Sequence, residues 1–175
     1  MELRLFRCRI CGDPYLGSEP PSFCPFCGAP RKYMTPAEEY VDRNTVSNLS
    51  SRSRENLEKA LDLEVRNAAF YLCACNCAPD PLSQALFKAL ARTEGEHASL
   101  ICKILKTPKP EIKPDDKACL KDPRANFGAA HEREQRAVAF YGQSAAEAVE
   151  DRVREVFGAL TEVETYHIAI SEARK

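Results

Sequence analysis

Over the last two-thirds of the chain apolar residues recur three and four positions apart, the spacing that lines one face of an α-helix. Four stretches carry it, at about 53–78, 81–106, 122–147 and 151–173. The first has a stripe at Leu57, Leu61, Glu64, Ala68, Tyr71 and Cys75, and the third at Phe127, His131, Glu134, Val138, Tyr141 and Ala145. The second reads Phe87, Leu90, Glu94, His97 and Ile101, and the fourth Phe157, Leu160, Glu164, His167 and Ser171. Asp80-Pro81 and Asp122-Pro123 each set an N-cap residue before a proline at the first helical position, which marks two helix starts. Between the second and third stretches, 107–116 carries prolines at 108, 110 and 114 and is long enough to cross a bundle, whereas the other two connections are tight. The pattern predicts a mainly α fold, a four-helix bundle with one long crossover.

The first 35 residues follow another rule. They lack helical periodicity, are rich in Cys, Pro and Gly, and offer only brief extended candidates at Leu3–Arg9 and Arg31–Met34. A module this small cannot bury a sizeable apolar core and needs a metal as its staple. Thr35-Pro36-Ala37-Glu38 has the order of N-cap, first-turn proline and capping-box glutamate, so a short helix is expected to open the linker. The expected division is a small metal module at 1–35, a linker at 36–52 and a bundle at 53–175.

Composition narrows the setting. A net charge of −1 gives no electrostatic case for nucleic acid or an anionic membrane as partner. No apolar run approaches the roughly 20 residues of a membrane-spanning helix. Met1–Cys8 runs into a cysteine motif without an apolar signal core, so a cytoplasmic protein is expected. Nine cysteines in such a setting point to metal ligands and reduced thiols and not to a disulfide framework.

Four of them form two knuckles, Cys8-Arg-Ile-Cys11 and Cys24-Pro-Phe-Cys27-Gly28. The two-residue gap lets both thiolates of a knuckle bind one ion, and four thiolates suit tetrahedral iron or zinc. Cys73, Cys75, Cys77, Cys102 and Cys119 show no such pairing and read as small, buried, reduced residues, with a second thiolate site on the helix face shared by Cys73 and Cys77 as the alternative.

The helices hold the second chemistry. Glu64-Val-Arg-Asn-Ala-Ala-Phe-Tyr71 returns 70 residues later as Glu134-Gln-Arg-Ala-Val-Ala-Phe-Tyr141, and Glu94-Gly-Glu-His97 as Glu164-Thr-Tyr-His167. Glu and His three apart on a helix face the same way, so both reach one ion. A duplicated hairpin would converge four carboxylates and two imidazoles inside the bundle. Buried acids at that density require cations, because an unpaired charge in a low-dielectric core costs more than packing offsets. Two divalent metals balance four carboxylates.

Together these motifs resemble a rubrerythrin with its domains in reversed order, a reverse rubrerythrin: a rubredoxin-like segment, then a ferritin-like di-iron bundle. The resemblance implies one iron, with zinc as the alternative, at Cys8, Cys11, Cys24 and Cys27, and two irons in the carboxylate site. It implies that Glu94 and Glu164 bridge, that Glu64 and Glu134 are terminal, and that His97 and His167 bind one iron each. Tyr71 and Tyr141 resemble the family's tyrosines that hydrogen-bond the carboxylates. Typical members carry a further Glu one turn after the third-helix ligand, where this chain has Ala137, so a redox-dependent ligand exchange is not expected. Asp13-Pro14 also departs from the aromatic residue that rubredoxins commonly place after the first knuckle. His131 reads as a hydrogen-bonded core histidine, with proton donor or conditional ligand as the alternative. The implied activity is reduction of hydrogen peroxide with electrons relayed through the four-cysteine iron, from an NAD(P)H-dependent reductase, in a homodimer or larger assembly. A ferritin-like oxidase handling iron with dioxygen, and a non-enzymatic zinc scaffold or sensor, are the rival readings.

Overall fold

The computed structural model describes residues 2–175. In the N-terminal module, β1 (Arg4–Cys8) is the centre of a three-stranded antiparallel sheet, flanked by β2 (Pro14–Gly17) and β3 (Met34–Pro36). Arg4 lies opposite Gly17 and Cys8 opposite Met34. Two expectations fail here. Arg31–Tyr33 is a 3-10 turn, and the extended segment begins only at Met34. Thr35 does not cap a helix: it pairs with Arg7 in the sheet, and Pro36 is extended, leaving a single 3-10 turn at Ala37–Glu39. The ladder to β1 takes the backbone groups that a helix start would need. β2 escapes sequence reading because four residues beginning with proline carry no usable alternation.

Four helices follow: α1 (Ser51–Cys77), α2 (Pro81–Leu105), α3 (Pro123–Glu147) and α4 (Asp151–Glu172). Their starts have visible causes. Ser50, Asp80 and Asp122 each accept a hydrogen bond from a first-turn backbone N–H, at 3.2, 2.8 and 3.0 Å. Glu150, just before α4, instead accepts from Ser50 N–H and Ser53 Oγ, tying the start of α4 to the start of α1. α1 packs on α2, α3 on α4, and α1 also meets α3.

The buried seam differs slightly from the expected stripe. On α1 it runs through Leu57, Ala60, Glu64, Ala68, Tyr71 and Ala74, and on α3 through Phe127, Ala130, Glu134, Ala137, Tyr141 and Ser144. Leu61, Cys75, His131, Val138 and Ala145 lie half-buried on the flank. Small residues at the seam bring the helices close while leaving room for glutamate and tyrosine side chains between them.

The crossover between α2 and α3 has no regular structure, but it is fastened: Asp115 N–H donates to the Ala69 carbonyl at 3.2 Å, and Cys119 is disulfide-bonded to Cys73. That corrects the expectation of reduced thiols for this pair. Of the other three, Cys102 is buried, Cys75 half-buried and Cys77 exposed. The core is continuous between modules, since Phe6, Ile10 and the four knuckle cysteines join Leu57, Leu100, Ile101 and Leu160 in one apolar cluster. Among the described residues no helix is long and apolar enough to cross a membrane.

Candidate metal centres

Each knuckle is a tight turn closed by a glycine. Gly12 N–H donates to the Cys8 carbonyl at 2.8 Å and Gly28 N–H to the Cys24 carbonyl at 3.0 Å, with φ of 89° and 73° that L side chains rarely adopt. Gly28 is constrained a second time, because a Cβ there would stand 2.9 Å from Val163 of α4. Asp13 N–H donates to Cys11 Sγ at 3.5 Å. All four cysteines are buried, with Sγ separations of 3.7 Å for Cys8–Cys27 and 3.8 Å for Cys11–Cys24. A tetrahedral ion with metal–sulfur bonds of about 2.3 Å sets its sulfurs about 3.8 Å apart. The four thiols are therefore already spaced as a ligand shell.

Inside the bundle the duplicated motifs converge. Ligand atoms of Glu64, Glu94, His97 and Glu164 form one group, and those of Glu94, Glu134, Glu164 and His167 a second; within each, all lie within 4.8 Å of one another. Glu94 and Glu164 belong to both. The four glutamates and His97 are completely buried and His167 is 7% exposed, so only one edge of the cluster approaches solvent.

Hydrogen bonding within the protein falls short of what these groups need. His97 Nδ1 is 3.2–3.3 Å from oxygens of Glu64, Glu94 and Glu164, and one ring nitrogen cannot satisfy three carboxylates. One oxygen each of Glu64, Glu94, Glu134 and Glu164 is buried without any hydrogen-bond partner. Burial pushes the carboxyls of Glu64 and Glu134 well above the usual range. Burial also works against ionised Glu94 and Glu164, yet the adjacent imidazoles hold both below that range. Burial opposes protonation of His97 and His167 too, but the carboxylates beside them win and raise both. Two imidazolium charges match Glu94 and Glu164, and burial keeps Glu64 and Glu134 neutral; ionising all four acids takes further positive charge. Orphaned oxygens converging on two points are what a pair of divalent cations would satisfy.

The tyrosines cross between copies. Tyr71 donates to Glu134 and Tyr141 to Glu64, so each serves the glutamate of the other repeat. Burial raises both phenols well above their ordinary value, which keeps them as donors. His131 stands apart, with Nδ1 3.2 Å from Glu172 and 3.5 Å from Ser171 Oγ, and it belongs to neither ligand group. Ala137 is completely buried one turn beyond Glu134 and offers no donor atom.

The two centres touch. His97 Nε2 is 2.9 Å from the carbonyl oxygen of Cys27. A carbonyl only accepts, so Nε2 carries a hydrogen and Nδ1 is the nitrogen that faces the carboxylates, the one that would bind an ion on giving up its proton. Around this contact the module is clamped. Arg152, at the start of α4 and 6% exposed, donates to the carbonyls of Arg9 and Ile10, both at 2.8 Å, and to Asn44 Oδ1 at 2.7 Å. Lys103 donates to the Cys11 carbonyl at 2.9 Å, and Lys32 pairs with Glu162 at 2.8 Å. Sequence reasoning missed Arg152 and Asn44. Asp151-Arg-Val-Arg154 looks like any solvated helix start, and nothing in it signals a buried guanidinium.

The rubrerythrin family model matches residues 55–173, and the model for the rubredoxin-like domain of rubrerythrin matches residues 6–35. Their order along the chain is the reversed arrangement. A hypothetical protein from Pyrococcus furiosus of known structure is similar at 20% identity and a TM-score of 0.60, over 69% of this chain and 86% of that one, which shows a shared fold. No curated protein matches the chain. With both family matches in hand, the four-cysteine site and the carboxylate–histidine cluster fit iron.

Proposed function

The chain belongs to the rubrerythrin family and is a non-haem iron protein, and from that premise we propose that it reduces hydrogen peroxide to water at the carboxylate cluster, drawing electrons through the four-cysteine site. The observation that carries this reading is the hydrogen bond from His97 to the Cys27 carbonyl, which joins a ligand-type residue of one centre to the backbone of a ligand-type residue of the other. A zinc scaffold gives that contact no purpose. A relay does.

In this reading Glu94 and Glu164 would serve both ions, Glu64 and His97 one, and Glu134 and His167 the other. Two ferrous ions held there would supply the two electrons needed to cleave an O–O bond, and an iron held by the four cysteines would be a one-electron donor to them. Tyr71 and Tyr141 fix the outer carboxylates by donating to one oxygen of each, which leaves the second oxygen directed inward. Burial of the glutamates and His97 keeps bulk water from the cluster, and the edge at His167 is where a small oxidant would enter. Because the Cys27–His97 contact lies within one chain, the relay does not depend on a second subunit. A homodimer and an NAD(P)H-dependent reductase as electron source remain part of the proposal.

The test is substrate preference. Fully reduced, iron-loaded protein mixed anaerobically with hydrogen peroxide should oxidise at least about tenfold faster than with dioxygen, a difference of about 1.4 kcal/mol in barrier. Faster reaction with dioxygen would replace the peroxidase with an oxidase, and zinc in both sites of protein made in iron-replete cells would remove the redox reading.

A further inference from the structure

Three sulfurs meet at the far end of α1, outside both metal centres. Cys73 and Cys77 lie one turn apart on the same helix face, and Cys119 of the crossover sits against both. Cys73 and Cys119 are joined, with Cα atoms 5.8 Å apart and 46 residues between them in sequence. Cys77 Sγ is 3.3 Å from Cys119 Sγ, and all three sulfurs lie within 4.8 Å of one another. Their accessibility is graded: Cys73 is 1% exposed, Cys119 is half-buried and Cys77 faces solvent. A free, accessible thiol at contact distance from the sulfur of a disulfide is arranged for thiol–disulfide exchange.

We propose that Cys73, Cys77 and Cys119 form a second, metal-independent site that reduces hydroperoxides with its own thiols and moves the resulting disulfide inward, from Cys77–Cys119 to Cys73–Cys119. The exposed Cys77 thiolate attacks a peroxide oxygen. The O–O bond breaks, the departing oxygen takes a proton and leaves as water, and Cys77 becomes a sulfenic acid. The Cys119 thiolate attacks the Cys77 sulfur, forming the S–S bond and expelling hydroxide, which takes the proton given up by the Cys119 thiol and leaves as a second water, the first having taken that of Cys77. Two thiols are oxidised by two electrons and one peroxide is reduced to two waters. Cys73 then attacks Cys119, an S–S bond forms as another breaks, and Cys77 leaves as thiolate with no net redox change. The reverse exchange returns the disulfide to the surface, where a dithiol reductant reaches it.

The position gives the exchange a consequence. Ala118 and Cys119 pack on the cluster of Phe70, Tyr71 and Phe87, and Tyr71 donates to Glu134. The inward disulfide therefore latches the crossover over residues that support the carboxylate cluster.

The experiment uses full-length, iron-loaded protein with its irons held ferric, so that they have no electrons to spend on peroxide. The cysteines are reduced, one equivalent of hydrogen peroxide is added, and samples are alkylated at intervals and mapped by non-reducing peptide mass spectrometry. Wild type should finish as Cys73–Cys119 with Cys77 alkylated. Cys73→Ala should stop at Cys77–Cys119, and Cys77→Ser, an exposed change that leaves packing intact, should form its disulfide at least about tenfold more slowly. Closure of Cys77→Ser at the wild-type rate, or unlinked Cys77 and Cys119 in Cys73→Ala, would overturn the proposal. So would a reduced protein whose three thiols resist alkylation because they hold zinc. Linkage is read directly, so the result is independent of whether the carboxylate cluster turns over peroxide.

Discussion

Glu94 and Glu164 stand among the ligand atoms of both groups, whereas Glu64 and Glu134 stand in one each. A carboxylate between two cations also screens their mutual repulsion, so the four should not be equivalent. Glu94→Ala or Glu164→Ala should cost both ions of the cluster, while Glu64→Ala or Glu134→Ala should cost about one, and the four-cysteine iron should persist in all. Metal content after dialysis decides it, and equal losses across the four would contradict the bridging roles. The tyrosines permit a finer test because they cross. Tyr71→Phe removes the donor to Glu134 and leaves a buried carboxylate oxygen unpaired, a penalty of about 1–3 kcal/mol, and should weaken one ion about tenfold. Tyr141→Phe should do the same to the other through Glu64, and chelator competition showing one weakened step in each variant would bear this out. Unchanged release from both would reduce the tyrosines to packing. The convergence of the six Glu and His residues was legible because two motifs recur at one offset on apolar stripes, where charge needs a reason. That each tyrosine reaches the other copy's glutamate was not, since it depends on how two hairpins face each other.

At the scale of elements, capping chemistry carried far. Asp-Pro pairs place the starts of α2 and α3 to within a residue, and the proline-rich crossover lies where no helix forms. The errors have one origin. Thr35-Pro36 has helix-start chemistry, but the long-range ladder to β1 outcompetes it, and the choice of Ala60 over Leu61 at the seam reflects close helix approach, which a count of apolar residues does not weigh. Arg152 belongs to this scale because it joins α4 to the first knuckle. Arg152→Ala should leave the Arg9 carbonyl and Asn44 Oδ1 without a donor and the Ile10 carbonyl with Asn44 Nδ2 alone, at a cost of about 3 kcal/mol. Chemical denaturation should report that loss, while the ferric-thiolate absorption of the four-cysteine site remains and electron transfer to the bundle slows. A variant that relays electrons at the wild-type rate would show that the clamp does not position the module.

For the whole molecule, the two centres are held in register by one continuous core and a set of buried hydrogen bonds at the module boundary. Length and cysteine spacing made two modules legible, but nothing in the sequence indicated that the small one would seat on its own bundle with Cys27 against His97. That contact turns two separate metal motifs into one proposed circuit, in which peroxide reaches the four-cysteine iron only by way of the carboxylate cluster. The most direct test is to mix fully reduced, iron-loaded protein with excess hydrogen peroxide in a stopped-flow spectrometer and follow the ferric-thiolate absorption. The account predicts that this absorption develops rapidly in wild type and is nearly abolished on the same timescale in Glu94→Ala, whose four-cysteine site still holds iron. A four-cysteine iron that stays reduced in wild type, or that oxidises equally fast in Glu94→Ala, would contradict it.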